Sequence, residues 1–148
     1  MRLSSSTTWR RNDYIAALAQ GGYPSVISLT GRGRNMWLDS YLERILTRDV
    51  VDVSGRLANN RIDEVLRLIA ANQSGELVKS RLADELSLPV STIGTYLRAL
   101  KTLYIIQDVK PWTANLTNRQ IGRRKTFVAD SALAMRLAGI RPQPWNRW

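Results

Sequence analysis

The stretch from Val78 to Leu103 constrains the fold more than any other. Val78-Lys79-Ser80-Arg81-Leu82-Ala83-Asp84-Glu85-Leu86 has the apolar spacing of a short amphipathic helix. Ser87-Leu88-Pro89 breaks it. Val90 to Leu103 resumes a helical pattern, with Ile93, Tyr96, Leu97 and Leu100 on one face. Two helices joined by so short a turn cross closely, and Ala83 supplies a small side chain at the crossing. Leu82, Leu86, Leu88, Ile93 and Leu97 then close one apolar cluster between them, which predicts a helix-turn-helix.

The flanks complete the unit. Ile62, Val65, Leu66 and Ile69 mark one face of a preceding helix. Asn59 or Asn60 suits its N-cap, and Asp63 and Glu64 favour its positive end. Asn72-Gln73-Ser74-Gly75 ends it, and Glu76-Leu77-Val78 suits a short strand. Beyond the pair, Tyr104-Ile105-Ile106 and Val109 change to strand spacing, and Thr126-Phe127-Val128 returns. A long basic loop, 110–125, joins the two strands, so they read as a hairpin wing with Tyr104 and Phe127 in the core at its base. Residues 57–130 are thus expected to form a winged helix.

Residues 1–13 are polar and read as a flexible N-terminal segment. Residues 14–56 read as a helical segment. Tyr14 to Gln20 is its first helix, stopped by Gly21-Gly22-Tyr23-Pro24. Gly31-Arg32-Gly33-Arg34 reads as a basic loop. Asn35 to Asp49 is the strongest helix here, with Trp37, Leu38, Tyr41, Leu42, Ile45 and Leu46 in one stripe; its rings read as core anchors because of the area they bury. Val50 to Asn60 is a connector. Asp130-Ser131 suits the cap of a last helix, Ala132 to Leu137, followed by a Pro- and Trp-rich tail to residue 148. The expected class is mainly α with a small β-hairpin: a helical N-terminal segment followed by a winged helix-turn-helix domain.

Composition narrows the chemistry. The chain has no Cys and no His, which excludes disulfides, thiolate metal sites and Ser-His-Asp or Cys-His catalysis. No apolar run reaches about 18 residues, so no membrane span is expected. Met1 to Ser6 lacks the apolar stretch of a signal peptide, and a cytoplasmic location is expected. The net charge of +10 is unevenly placed. Residues 1–56 carry +3, residues 57–108 carry zero and residues 109–148 carry +7. A polyanion is drawn first to the wing and tail. Since 18 of the 22 basic residues are Arg, a compositional bias gives the same total without a role.

Several strings occur in the order of one family: Gly21-Gly22-Tyr23-Pro24, Trp37-Leu38-Asp39-Ser40-Tyr41-Leu42-Glu43, Thr47-Arg48-Asp49-Val50, the helix pair, Pro111-Trp112-Thr113-Ala114-Asn115-Leu116-Thr117 and Phe127-Val128-Ala129-Asp130-Ser131-Ala132-Leu133-Ala134. Together they resemble the predicted prokaryotic AAA+ type ATPases that carry an uncharacterised C-terminal domain. The resemblance implies a P-loop ATPase domain before this region and a nuclease-like domain after it, and it gives Arg48-Asp49 a place near nucleotide in a complete protein. From the residues alone, that pair reads as a helix-end ion pair and cap. The chain has no Gly-x-x-x-x-Gly-Lys-Ser/Thr, and no Asp…Glu-x-Lys grouping follows Asp130. It is therefore expected to be a non-catalytic central piece, not an enzyme, with no catalytic, cofactor-binding or metal-binding residues. Ser87 stands where relatives usually have Gly, and Gly94 interrupts the exposed face of the second helix, where relatives often carry Lys or Arg.

Two functions fit. In the first, Ser91, Thr92, Thr95 and Arg98 face a DNA groove, and Lys101, Lys110, Arg119, Arg123, Arg124 and Lys125 lie along phosphates. In the second, the chain is a protein-interaction or oligomerisation module docking on an ATPase domain or another partner, with Trp112, Trp145 and Trp148 as anchors. The neutral charge of residues 57–108 suits the second. The oligomeric state is left open.

Overall fold

In the computed structural model, which describes residues 8–50, 61–112 and 123–141, short helices share one apolar core beside a small sheet. The order is α1 (Arg11–Gln20), α2 (Pro24–Ile27), α3 (Gly31–Arg44) continued by a π-helical turn (Ile45–Asp49), α4 (Ile62–Ala71), β1 (Gly75–Glu76), α5 (Lys79–Leu86), α6 (Val90–Thr102), β2 (Ile106–Val109), β3 (Lys125–Val128) and α7 (Ser131–Leu137). The described residues are mainly helical, and among them three strands form one antiparallel sheet in the order β1-β3-β2. Among the described residues, no helix is long and apolar enough to cross a membrane. The N-cap of α4 is Arg61, without a side-chain cap bond, in place of the expected Asn59 or Asn60, which lie outside the described residues.

The helix pair forms where its apolar spacing places it. Leu82, Ala83 and Leu86 of α5 and Ile93, Tyr96, Leu97 and Leu100 of α6 are buried, joining Val65, Leu66 and Ile69 of α4 in one core. The turn closes by Leu88 N–H donating to the Ala83 carbonyl at 2.9 Å. Ser87 takes the left-handed conformation there, φ +51°. Its position matches the usual Gly, and its Cβ makes that conformation costly.

Four expectations change. The basic run Gly31 to Arg34 is the first turn of α3, not a loop. Arg34 donates to the Leu29 carbonyl (3.2 and 3.0 Å) and to the Ala19 carbonyl (2.9 Å), which fixes that turn against the end of α1. Helix α1 starts at Arg11, inside the segment expected to be flexible. The Asp13 carboxylate accepts from Arg10 N–H at 2.6 Å, and Trp9 packs on Tyr14. Tyr104 is not core: it turns the corner after α6 at φ +56° and is 77% exposed. Phe127 lies on the outer face of the sheet, half-buried. Its neighbours Thr126 and Val128 point inward, and strand alternation sends Phe127 the other way.

Trp37 stacks on Tyr41 (5.0 Å, 13°), and Tyr23 joins both. These rings pack on the core as expected. Burial, and then the hydrogen bond with Tyr41, pushes the Tyr23 phenol far above its ordinary range.

Helix α7 packs against α1, α3, α4 and β3. Its cap is Asp130, as the sequence predicts: the carboxylate accepts from Leu133 N–H at 2.9 Å. The same carboxylate accepts from Gly22 N–H at 2.7 Å. Gly21 (φ +72°) lies so close that a Cβ there would come within 2.7 Å of Asp130 Oδ1 and of Ala132 Cβ. Arg136 holds Asp39 of α3 through two bonds, 2.7 and 2.6 Å.

Asp130→Ala removes a cap and leaves Gly22 N–H without its acceptor. We expect a loss of about 2–3 kcal/mol, read from the urea midpoint at constant slope. Ser87→Gly should raise stability by about 0.5–1 kcal/mol in the same assay, because Gly holds the left-handed turn without a Cβ clash.

Candidate nucleic-acid interface

No Asp or Glu occurs in residues 90–102, so the outer face of α6 carries no negative side chain. Ser91 and Arg98 are exposed there, and Thr92 and Thr95 are partly exposed. They are tied along the helix: Thr95 Oγ1 donates to the Ser91 carbonyl at 3.2 Å, and Arg98 Nη2 donates to Thr95 Oγ1 at 3.1 Å. Gly94 lies between them, and a Cβ built on it meets nothing within 4 Å. The first turn of α6 follows Pro89 and has no side-chain cap.

The hairpin stands beside α6 in a defined register. Ile106 pairs with Val128, Gln107 with Phe127, Asp108 with Thr126 and Val109 with Lys125. Asp108 faces inward. It accepts from Lys101 Nζ at 2.5 Å and from Thr126 Oγ1 at 2.8 Å. Burial raises its pKa, but the hydrogen bonds from Lys101 and Thr126 and the charges of Lys101 and Arg124 outweigh that. The net shift is below the usual carboxylate range.

This geometry revises the expected phosphate contacts. Lys101 is bound to Asp108, which ties the end of α6 to the hairpin. Arg123 Nη1 is bound to Glu76 of β1 at 3.1 Å, in a mostly exposed pair. Arg124 and Lys125 are exposed on β3 and the residue before it, and Lys110 is exposed just past β2. Because Val109 pairs with Lys125, the sheet brings Lys110 and Lys125 to the same end of the hairpin. Trp112 is 88% exposed beyond them. Arg119, Trp145 and Trp148 lie outside the described residues.

Asp108 was missed as a functional residue. Its signal was a lone acid seven residues after Lys101, across a helix-to-strand corner where both side chains turn to the same side. Among the described residues, no group of three or more carboxylates is placed to hold a metal ion.

No solved structure matches this chain. An uncharacterized protein of Mycobacterium tuberculosis and one of Mycobacterium bovis are each 28% identical to it over 124 residues, covering 82% of this chain and 28% of the relative. The chain therefore spans just over a quarter of the length of these curated relatives. Residues 11–144 match the family described as a domain of unknown function, DUF8612. That match spans α1 through α7, and the chain belongs to this family.

Proposed function

We propose that α4, α5, α6 and the hairpin act as a winged helix that binds nucleic acid weakly and with little sequence preference. The observation that carries this reading is the distribution of charge. Arg98, Lys110, Arg124 and Lys125 are exposed on one helix and one hairpin, while the carboxylate between them, Asp108, is turned inward. Cations placed in this way neutralise phosphates and release counterions. Ser91, Thr92 and Thr95 are permissive donors and acceptors, so α6 offers little discrimination between bases. The proposed role is binding, not catalysis.

A second reading has its own support. Tyr104 and Trp112 are the most exposed large hydrophobic side chains among the described residues. Aromatic residues of this kind anchor protein interfaces. The resemblance to AAA+ type ATPases makes a P-loop ATPase domain the partner to test. Trp112→Ala would weaken capture of such a domain and leave the salt slope of DNA binding unchanged.

For nucleic acid, log K against log salt should have a slope of about −3, the value for roughly three or four neutralised phosphates. Replacing Lys110, Arg124 and Lys125 together with Ala should bring the slope towards zero. Absence of binding at low salt, or an unchanged slope in the triple variant, overturns the reading. Asp108→Asn should tighten binding, since it removes a negative charge beside the cations. The same change should cost the fold about 1–2 kcal/mol at neutral pH. Asp108 titrates below its usual range in the folded state, so its contribution is full above about pH 4 and fades as the pH falls further. The Asn variant should therefore lose less stability on acidification. Gly94→Ala should raise stability by about 1 kcal/mol and weaken binding, because it places a methyl at the centre of the α6 face.

A further inference from the structure

A second basic feature lies on other elements. The end of α1, the first turns of α3 and the length of α7 enclose a groove of about 570 Å³. Three arginines line it: Arg34 of α3, Arg136 of α7 and Arg141 beyond α7. No carboxylate is among the described residues on its wall. Leu38, Met135 and Ile140 supply an apolar surface beside the cations. It shares no lining residue with the α6 and hairpin face.

Two of the three arginines are held in place before any ligand arrives. Arg34 is fixed by three bonds to the carbonyls of Leu29 and Ala19, which leave part of its fork of five donors unused. Arg136 is neutralised by Asp39 outside the groove. Among the described residues, Asp39 is the only acid paired with an arginine of this wall, so the charge it offers a ligand is that of Arg34 and Arg141. A phosphate monoester carries about −1.5 to −2 at pH 7, which matches it. The groove volume lies in the range of small-molecule sites, roughly 300–1,000 Å³.

We propose that this groove binds a small phosphate monoester whose other end is apolar, with the phosphate between Arg34 and Arg141 and the apolar body on Leu38, Met135 and Ile140. Guanidinium forks suit phosphate by geometry as well as charge. Neither the phosphate nor the apolar end suffices alone.

The test uses the whole chain and 1-naphthyl phosphate as probe, with 1-naphthol and inorganic phosphate as controls. Binding is followed by thermal shift and by backbone amide NMR. The ester should bind saturably, with Kd of about 1 mM or tighter, and perturb α1, α3 and α7. Each control should bind at least about tenfold more weakly. Arg141→Ala should weaken the ester at least about fivefold while leaving the melting temperature of the unliganded chain unchanged. Lowering the pH below about 6 should weaken the ester as its second proton returns. The double variant Arg124→Ala and Lys125→Ala should bind the ester normally, so this result stands or falls separately from the nucleic-acid reading. Co-sedimentation with phosphatidic acid vesicles, lost in Arg141→Ala, would place the phosphate on a lipid; saturable ester binding without co-sedimentation places it on a soluble molecule. No saturable binding, equal binding by Arg141→Ala, or amide shifts confined to α6 and the hairpin would each overturn the proposal.

Discussion

Asp130 is the residue on which both ends of this structure depend. One carboxylate accepts from Leu133 N–H, which starts α7, and from Gly22 N–H, which fixes the turn after α1. The two donors are more than a hundred residues apart in sequence. Joining them places α7 between the N-terminal helices and α4, so that Ala132, Leu133 and Leu137 enter the same core as Leu38, Val65 and Leu66. Gly21 is part of this joint, because no side chain fits between it and Asp130. The helical segment and the three-helix unit, separate in a reading of sequence periods, are packed together through α7.

What the sequence made legible was local. The apolar spacing of α4, α5 and α6 needs only burial of one helix face, and each predicted core position on these helices is buried, while Leu88 in the turn between α5 and α6 is half-buried. The Asp130 cap was legible for the same reason, since the cap and the N–H that it satisfies are three residues apart. Its bond to Gly22 was not, because nothing in a local pattern reports a partner at that distance. Gly31 to Arg34 looked like a loop because two glycines weaken helix propensity; the bonds from Arg34 to two backbone carbonyls supply what propensity does not. Phe127 was expected in the core at the base of the wing, but register decides which face a strand residue takes.

The candidate interface shows the same division. The type and exposure of Ser91, Thr92, Thr95 and Arg98 followed from the helical period. The state of the cations did not, since it depends on which acid each one meets. Lys101 and Arg123 looked equivalent to Arg124 and Lys125 in the sequence, yet Asp108 and Glu76 bind the first two. Asp108 thus has two opposed effects. It ties α6 to the hairpin, and its negative charge lowers the potential that a polyanion would meet.

The strand order β1-β3-β2 has a further consequence. Among the described residues, β2 has a sheet neighbour on one side only, so half of its main-chain polar groups face away from the ladder. An open border of this kind invites registration with a foreign strand and, at high concentration, sticking between copies. Here the border is only four residues long and runs straight into Lys110-Pro111. Proline has no N–H to offer an incoming strand, and lysine brings a charge that repels its counterpart on another copy. The residues that close β2 thereby limit how far such pairing extends.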